Sequence, residues 1–184
     1  MRVHPNITLT RLLALAAALG AVSVIAAGCG IDENERSVKE GEAVELGDLR
    51  YNVQITRFLN PDDPEDVAYL QGEPDPAPGK AYLGVFMTIE NAGDDAQDVP
   101  GDFRVVDTRD ETYEPKPNDS PYALKPGTSI PPDEQIPAPG TPAAAGPIQG
   151  AMLLFEVDQG VTENRPLELE IPSASGDGRV QLDI

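Results

Sequence analysis

From Ala43 onward, apolar residues recur at every second position in short runs separated by turn residues. Leu49, Tyr51, Val53 and Ile55 alternate with polar neighbours, which is the period of a half-buried strand. Ala81, Leu83, Val85, Met87 and Ile89 repeat the pattern and share one face of a longer strand that ends in the turn residues Asn91 to Asp95. Residues 103–106 and 111–113 predict a further pair, and residues 151–157 are apolar on both faces, as a central strand would be. Residues 167–171 and 180–184 alternate again, and a short run at 43–46 opens the series. Between these runs, residues 60–66 and the prolines at 74, 76 and 78 predict a surface loop. Residues 115–147 hold 10 of the 19 prolines. Proline lacks the N–H that a central strand donates, so this stretch reads as loop, with Tyr122, Leu124 and Ile136 dipping toward the core. Seven to nine short strands, with no amphipathic helix after residue 30, predict an all-β fold: an antiparallel β-sandwich.

The first thirty residues follow another pattern. Arg2 and Arg11 precede an apolar run from Leu12 to Ile25, then Ala26, Ala27, Gly28 and Cys29, and the first acid is Asp32. Basic, apolar, small is the order of a secretory signal. The run is short for a membrane span, which takes roughly 20 apolar residues. It is followed by acids rather than by a basic stop-transfer flank. The small residues directly before Cys29 resemble the lipobox of bacterial lipoproteins, although Ala26 stands where that family usually has Leu. The resemblance implies cleavage before Cys29, a diacylglycerol on its sulfur and an N-acyl chain such as palmitate on the new N-terminus. Two other outcomes stay open: an ordinary signal-peptidase cut that leaves a free thiol, or an uncleaved helical anchor. The expected organisation is a signal peptide over residues 1–28, lipidated Cys29 and a flexible tether over 29–40, and the sandwich over 41–184. The expected location is extracytoplasmic, in a bacterial cell envelope and anchored to its membrane by lipid.

A second resemblance covers the domain. Gly79, Lys80, Tyr82 and Leu83, residues 88–94, residues 103–107, Tyr113, Pro139, Gly140, Gly150 and residues 154–157 form a succession similar to the DUF4352 family of bacterial secreted and lipid-anchored proteins. That family's fold is similar to the immunoglobulin-like sandwich of the mycobacterial secreted antigen MPT63. The resemblance implies an immunoglobulin-like sandwich over 41–184 and brings no catalytic residues. The proline-rich insert between Tyr113 and Gly150 is longer than the family pattern.

Charge narrows the partners. The chain has 13 basic and 32 acidic residues, a net charge of −19. Without residues 1–28 it keeps 11 basic residues against the same 32 acids, a side-chain charge of −21. Such a surface repels phosphate, which argues against nucleic acid, and it repels anionic lipid headgroups, so attachment to a membrane falls to the lipid anchor. The single histidine, His4, and the single cysteine both lie in the first 29 residues. The domain is therefore left without an internal disulfide and without the commonest general base and transition-metal ligand.

The remaining chemistry is thin. Asp62, Asp63, Glu65 and Asp66, then Asp94, Asp95, Asp98 and Asp102, then Asp107, Asp110 and Glu111 form acid clusters. Carboxylates in loops can hold calcium, but none of these runs has the twelve-residue EF-hand spacing, and the simpler reading is a solvated acidic surface. Nothing places two acids across a cleft for glycoside hydrolysis, and Ser/His/Asp chemistry lacks its histidine. Met87 and Met152 lie in apolar strands and read as core, not as copper ligands. The expectation is a chain with no catalytic residues, no metal site and no cofactor apart from the lipid on Cys29. Tyr82 and Phe86 fall on the strand face opposite Leu83 and Val85, where they would form an apolar patch for a protein partner unless a loop covers them. The leading reading is a non-enzymatic, lipid-anchored module that binds another protein. The alternative is a calcium- or small-ligand-binding module on the same architecture.

Overall fold

A computed structural model describes residues 36–184. Thirteen strands follow one another: β1 (Arg36–Lys39), β2 (Ala43–Leu46), β3 (Leu49–Leu59) and β4 (Lys80–Asn91), then the short β5 (Gln97–Asp98), β6 (Arg104–Val106), β7 (Thr112–Tyr113) and β8 (Pro115–Lys116). The proline-rich stretch contributes β9 (Ser129–Ile130), β10 (Gln135–Ile136) and a single helical turn, α1 (Pro142–Ala145). The long β11 (Ala151–Asp158), β12 (Leu167–Ile171) and β13 (Gly178–Leu182) close the chain, with a 3₁₀ turn at Val161–Asn164.

They form the expected sandwich. One sheet has the order β1-β13-β12-β6-β7 and the other β2-β3-β4-β11-β8, with β10 added on β4 and β5-β9 as a separate ribbon. Strand pairs are antiparallel except β1 with β13. The main core lies between the sheets. Leu83, Val85, Met87 and Ile89 of β4 meet Leu169, Ile171 and Val180 of the facing sheet, all at most 1 % exposed. The apolar alternation of each strand is thus the side turned inward, and its burial is the principal stabilising term.

Both long sides are closed by strands that change sheets. The chain passes from β1 in one sheet to β2 in the other across Glu40 and Gly41, and from β7 to β8 across Glu114. The Arg36 guanidinium donates to the Glu45 carbonyl, so the outer edge of β2 is partly capped by a side chain.

Two sequence expectations change here. The tether was expected to run to Glu40, yet residues 36–39 are β1, in parallel register with β13 from Arg36 opposite Gly178 to Lys39 opposite Gln181. The reason is local: Val38 packs against the core, and Glu40 fastens the strand's end to both sheets. Its carboxylate accepts from the Thr56 amide at 3.1 Å and from the Asp183 amide at 3.1 Å. The alternation in β3 also breaks. Val53 pairs with Met87 but Ile55 pairs with Phe86, so a bulge takes up one residue. After it the phase inverts: Thr56 is buried and Ile55 is turned out, 38 % exposed.

Candidate functional site

The bulge in β3 sends Arg57 to the outer face of the six-stranded sheet, where a second, smaller core is built. Asn60, Pro61 and Asp62 end the strand, and the following loop turns back over the sheet. Asp66 draws it down. Its side chain is 1 % exposed and accepts two hydrogen bonds from Arg57 Nη2, at 2.7 and 3.0 Å, and one from the Asn60 amide at 2.9 Å. This lays Tyr69 and Leu70 on Leu59, Tyr82, Phe86, Met152 and Leu154. The Tyr69 ring meets Phe86 edge-on at 5.2 Å between centroids.

The proline-rich insert supplies the other half of the cover. Ser120, 1 % exposed, donates from its hydroxyl to the Ala68 carbonyl at 2.7 Å, and the Asn118 side-chain amide donates from Nδ2 to the Tyr69 carbonyl at 3.3 Å. Residues 122–124 run parallel to β11: the Met152 amide donates to the Tyr122 carbonyl at 2.7 Å and the Leu124 amide to the Met152 carbonyl at 2.8 Å. Gly150, at φ 126°, lies so close to β4 that a Cβ there would stand 2.8 Å from the Met87 amide nitrogen. The insert therefore re-enters the sheet only through a glycine.

Tyr82 and Phe86 were candidates for an exposed patch unless a loop covered them. The structure shows that loops cover them: they are 1 % and 0 % exposed, beneath the two loops, and Tyr82 donates its hydroxyl to the Pro74 carbonyl at 3.0 Å. Lys116 lies above the Tyr82 ring, 5.9 Å from its centroid. Among the described residues the large apolar side chains left exposed are Ile55 and Val67, two residues before Arg57 and one after Asp66.

Between the two loops lies a pocket of about 390 Å³. Its wall includes Arg57, Tyr69, Tyr122 and Ile148, with Pro64 and Glu65 from the first loop. The rings of Tyr69 and Tyr122 lie 4.6 Å apart at a tilt of 58°. Tyr69 is 3 % exposed and its hydroxyl has no hydrogen-bond partner. Burial pushes this phenol above its ordinary value, only partly offset by the Ile148 amide, whose approach falls short of hydrogen-bond geometry.

The acid clusters do not converge. Among the described residues no three histidine, cysteine, aspartate or glutamate side chains are placed to hold a metal ion. Asp66 is committed to Arg57, and Asp63 accepts from the Glu65 amide. Asp107 is buried and accepts from the amides of Arg109 at 2.8 Å and Glu111 at 3.0 Å. Burial works against its ionisation, but these amides and the Arg109 guanidinium outweigh it and hold the carboxyl below the usual carboxylate range. Met87 and Met152 are buried on opposite faces of the six-stranded sheet. Cys29 lies outside the described residues.

No family model matches the chain, and no curated protein matches its sequence. Solved structures do. A β-sandwich protein of Clostridium difficile 630 is 14 % identical with a TM-score of 0.50, over 81 % of this chain and 95 % of that one. A candidate lipoprotein of Bacillus subtilis, ycdA, is 16 % identical with a TM-score of 0.52 over 79 % of this chain, which spans only 39 % of ycdA. The secreted protein MPT63 of Mycobacterium tuberculosis is 14 % identical with a TM-score of 0.48, over 79 % of this chain and 95 % of that one. At these identities the first two likenesses show the β-sandwich, and DUF4352 stays a resemblance.

Sequence reasoning missed Arg57, Asp66, Tyr69 and Tyr122 as one site. One signal was present: Arg57 is the lone basic residue between Arg50 and Lys80, beside a run of acids. Which acid it meets depends on the bulge, and nothing in the alternation marks that.

Proposed function

We propose that the chain is a lipid-anchored, extracytoplasmic binding module: a non-enzymatic β-sandwich held at a bacterial membrane through Cys29 and engaging a protein partner. The observation that carries it is the order of basic, apolar and small residues ending at Cys29, followed almost at once by a folded domain. Only residues 30–35 separate Cys29 from β1. Such a link reaches about 25 Å at full extension. Among the described residues no helix is long and apolar enough to cross a membrane. The reading assigns attachment to acyl chains on Cys29 because the small residues before it resemble a lipobox. Two or more chains, at about 0.8 kcal/mol per buried CH₂, anchor firmly where a single one does not.

The pocket beside Tyr69 favours ligand recognition over calcium as the domain's chemistry, because its wall is aromatic and apolar with one unmatched acid. Mass spectrometry of the protein from its native membrane tests the anchor. The expected product begins at Cys29 and carries diacylglycerol and an N-acyl chain, and Cys29→Ala releases the protein from the membrane fraction. A bare Cys29 thiol, or residues 1–28 still attached, overturns the reading.

A further inference from the structure

Between the two outer loops the 390 Å³ pocket is walled by two tyrosines, Tyr69 and Tyr122, with Pro64, Pro147 and Ile148 and the acid Glu65. That volume lies in the range of small ligand sites, and one long side chain with its solvent fits within it.

The electrostatics select the ligand's sign. Arg57 is in the wall, but two hydrogen bonds to Asp66, at 2.7 and 3.0 Å, match its charge. Glu65 is exposed at the rim and carries no such partner in the wall, so the pocket's balance is negative. Asp62 and Asp63 stand beside it on the same loop, and the whole chain carries −19. A field of that sign draws in basic segments and turns acidic ones away. Tyr122 is half-buried and offers a ring to the opening, while Pro64, Pro147 and Ile148 supply apolar surface.

We propose that this pocket receives a cationic side chain, arginine above all, presented by a basic segment of a partner protein. The guanidinium stacks on the half-buried Tyr122 ring, and Glu65 balances its charge. The aliphatic stem lies against the prolines and Ile148. Arginine is preferred over lysine because its planar head is weakly hydrated and stacks. The inference names the partner chemistry of the module proposed above and so rests on that reading.

The test is an amide NMR titration of the full chain in non-ionic detergent with N-acetyl-arginine amide, and with the citrulline amide as its neutral isostere. Saturable shifts are expected at Ala68, Tyr69, Tyr122 and Ile148, weakening with added salt. The citrulline derivative should bind about tenfold more weakly, the size of a desolvated cation–π contact. Glu65→Gln, on an exposed side chain, and Tyr122→Leu, which keeps apolar bulk, should each weaken arginine several-fold while thermal unfolding stays cooperative. Equal affinity for citrulline overturns the proposal, since the pocket is then merely apolar. So do shifts spread over the acid loops without saturation, which indicate a diffuse ion atmosphere. Failure here leaves the acylation of Cys29 untouched, and a bare thiol leaves this titration untouched.

Discussion

Asp66 is almost wholly withdrawn from water, while its partner Arg57 keeps about a third of its side chain exposed, at 35 %. That asymmetry decides what each substitution costs. Removing the carboxylate charge in Asp66→Asn leaves Arg57 able to reach solvent, and the loop loses its strongest tie to β3. Removing the cation in Arg57→Met strands a buried carboxylate. Breaking a fully buried pair costs about 3–5 kcal/mol, and the half-open position of Arg57 reduces this. Urea unfolding should therefore show a loss of about 1–2 kcal/mol for Asp66→Asn and a larger one for Arg57→Met. Tyr69→Phe should behave in the opposite way. It deletes a hydroxyl that has no partner and keeps the ring on Phe86, so stability should hold or rise by up to about 1 kcal/mol. A clear loss in that variant would mean that the hydroxyl is paired in solution.

At the scale of elements, β1 shows how a strand forms without an apolar signature. Residues 36–39 offer one core side chain, Val38, and the strand is held by register with β13 and by the Glu40 carboxylate bridging β3 and the end of β13. Glu40→Ala should expose two amides that have no other acceptor of that strength. Each charge-assisted bond contributes about 1.5–3 kcal/mol at most, less at this half-exposed position. Hydrogen exchange should accelerate at Thr56 and Asp183 well before the central amides of β4 and β11 respond. Uniform acceleration across the sandwich would show that Glu40 acts on global stability instead. The same contrast explains what the sequence revealed. Strands β4, β11 and β12 were legible because tertiary burial and local alternation coincide in them. Strand β1 was not, because its partner lies at the far end of the chain, and the charged residues that favour a tether also suit an edge. The inversion in β3 was invisible because a bulge changes which residues face inward without changing their types. The pocket was hidden for a related reason: Tyr69 and Tyr122 lie in loops more than fifty positions apart, joined by Ser120 and Asn118 hydrogen bonds that no local pattern encodes.

At the scale of the molecule, a sheet protein this acidic is squeezed by pH from both sides, and the structure names the groups responsible. Tyr51 is 1 % exposed in the main core, edge-on to Phe103, and burial pushes its phenol up to about 12. Tyr113 is likewise pushed up to about 12, chiefly by burial and then by the negative charge of Asp158, Asp107 and Glu111. In the unfolded chain both ionise near 10, so the unfolded state sheds protons first as pH rises. Their contribution is fully present below about pH 10 and is lost as pH climbs toward 12. Asp107 works on the opposite limb. Its carboxyl is held below the ordinary range in the folded state, so its contribution is present above about pH 4 and is lost as pH falls through its folded value. Chemical denaturation across pH should trace a plateau that falls at both ends. The alkaline fall should coincide with the tyrosinate absorbance of Tyr51 and Tyr113, and Asp107→Asn should flatten the acid limb while lowering the plateau. Added salt should raise the plateau by screening a net charge of −19. If the tyrosines ionise near pH 10 while the strand signal in circular dichroism is intact, the core around Tyr51 is open to water and the packing described between the sheets is wrong.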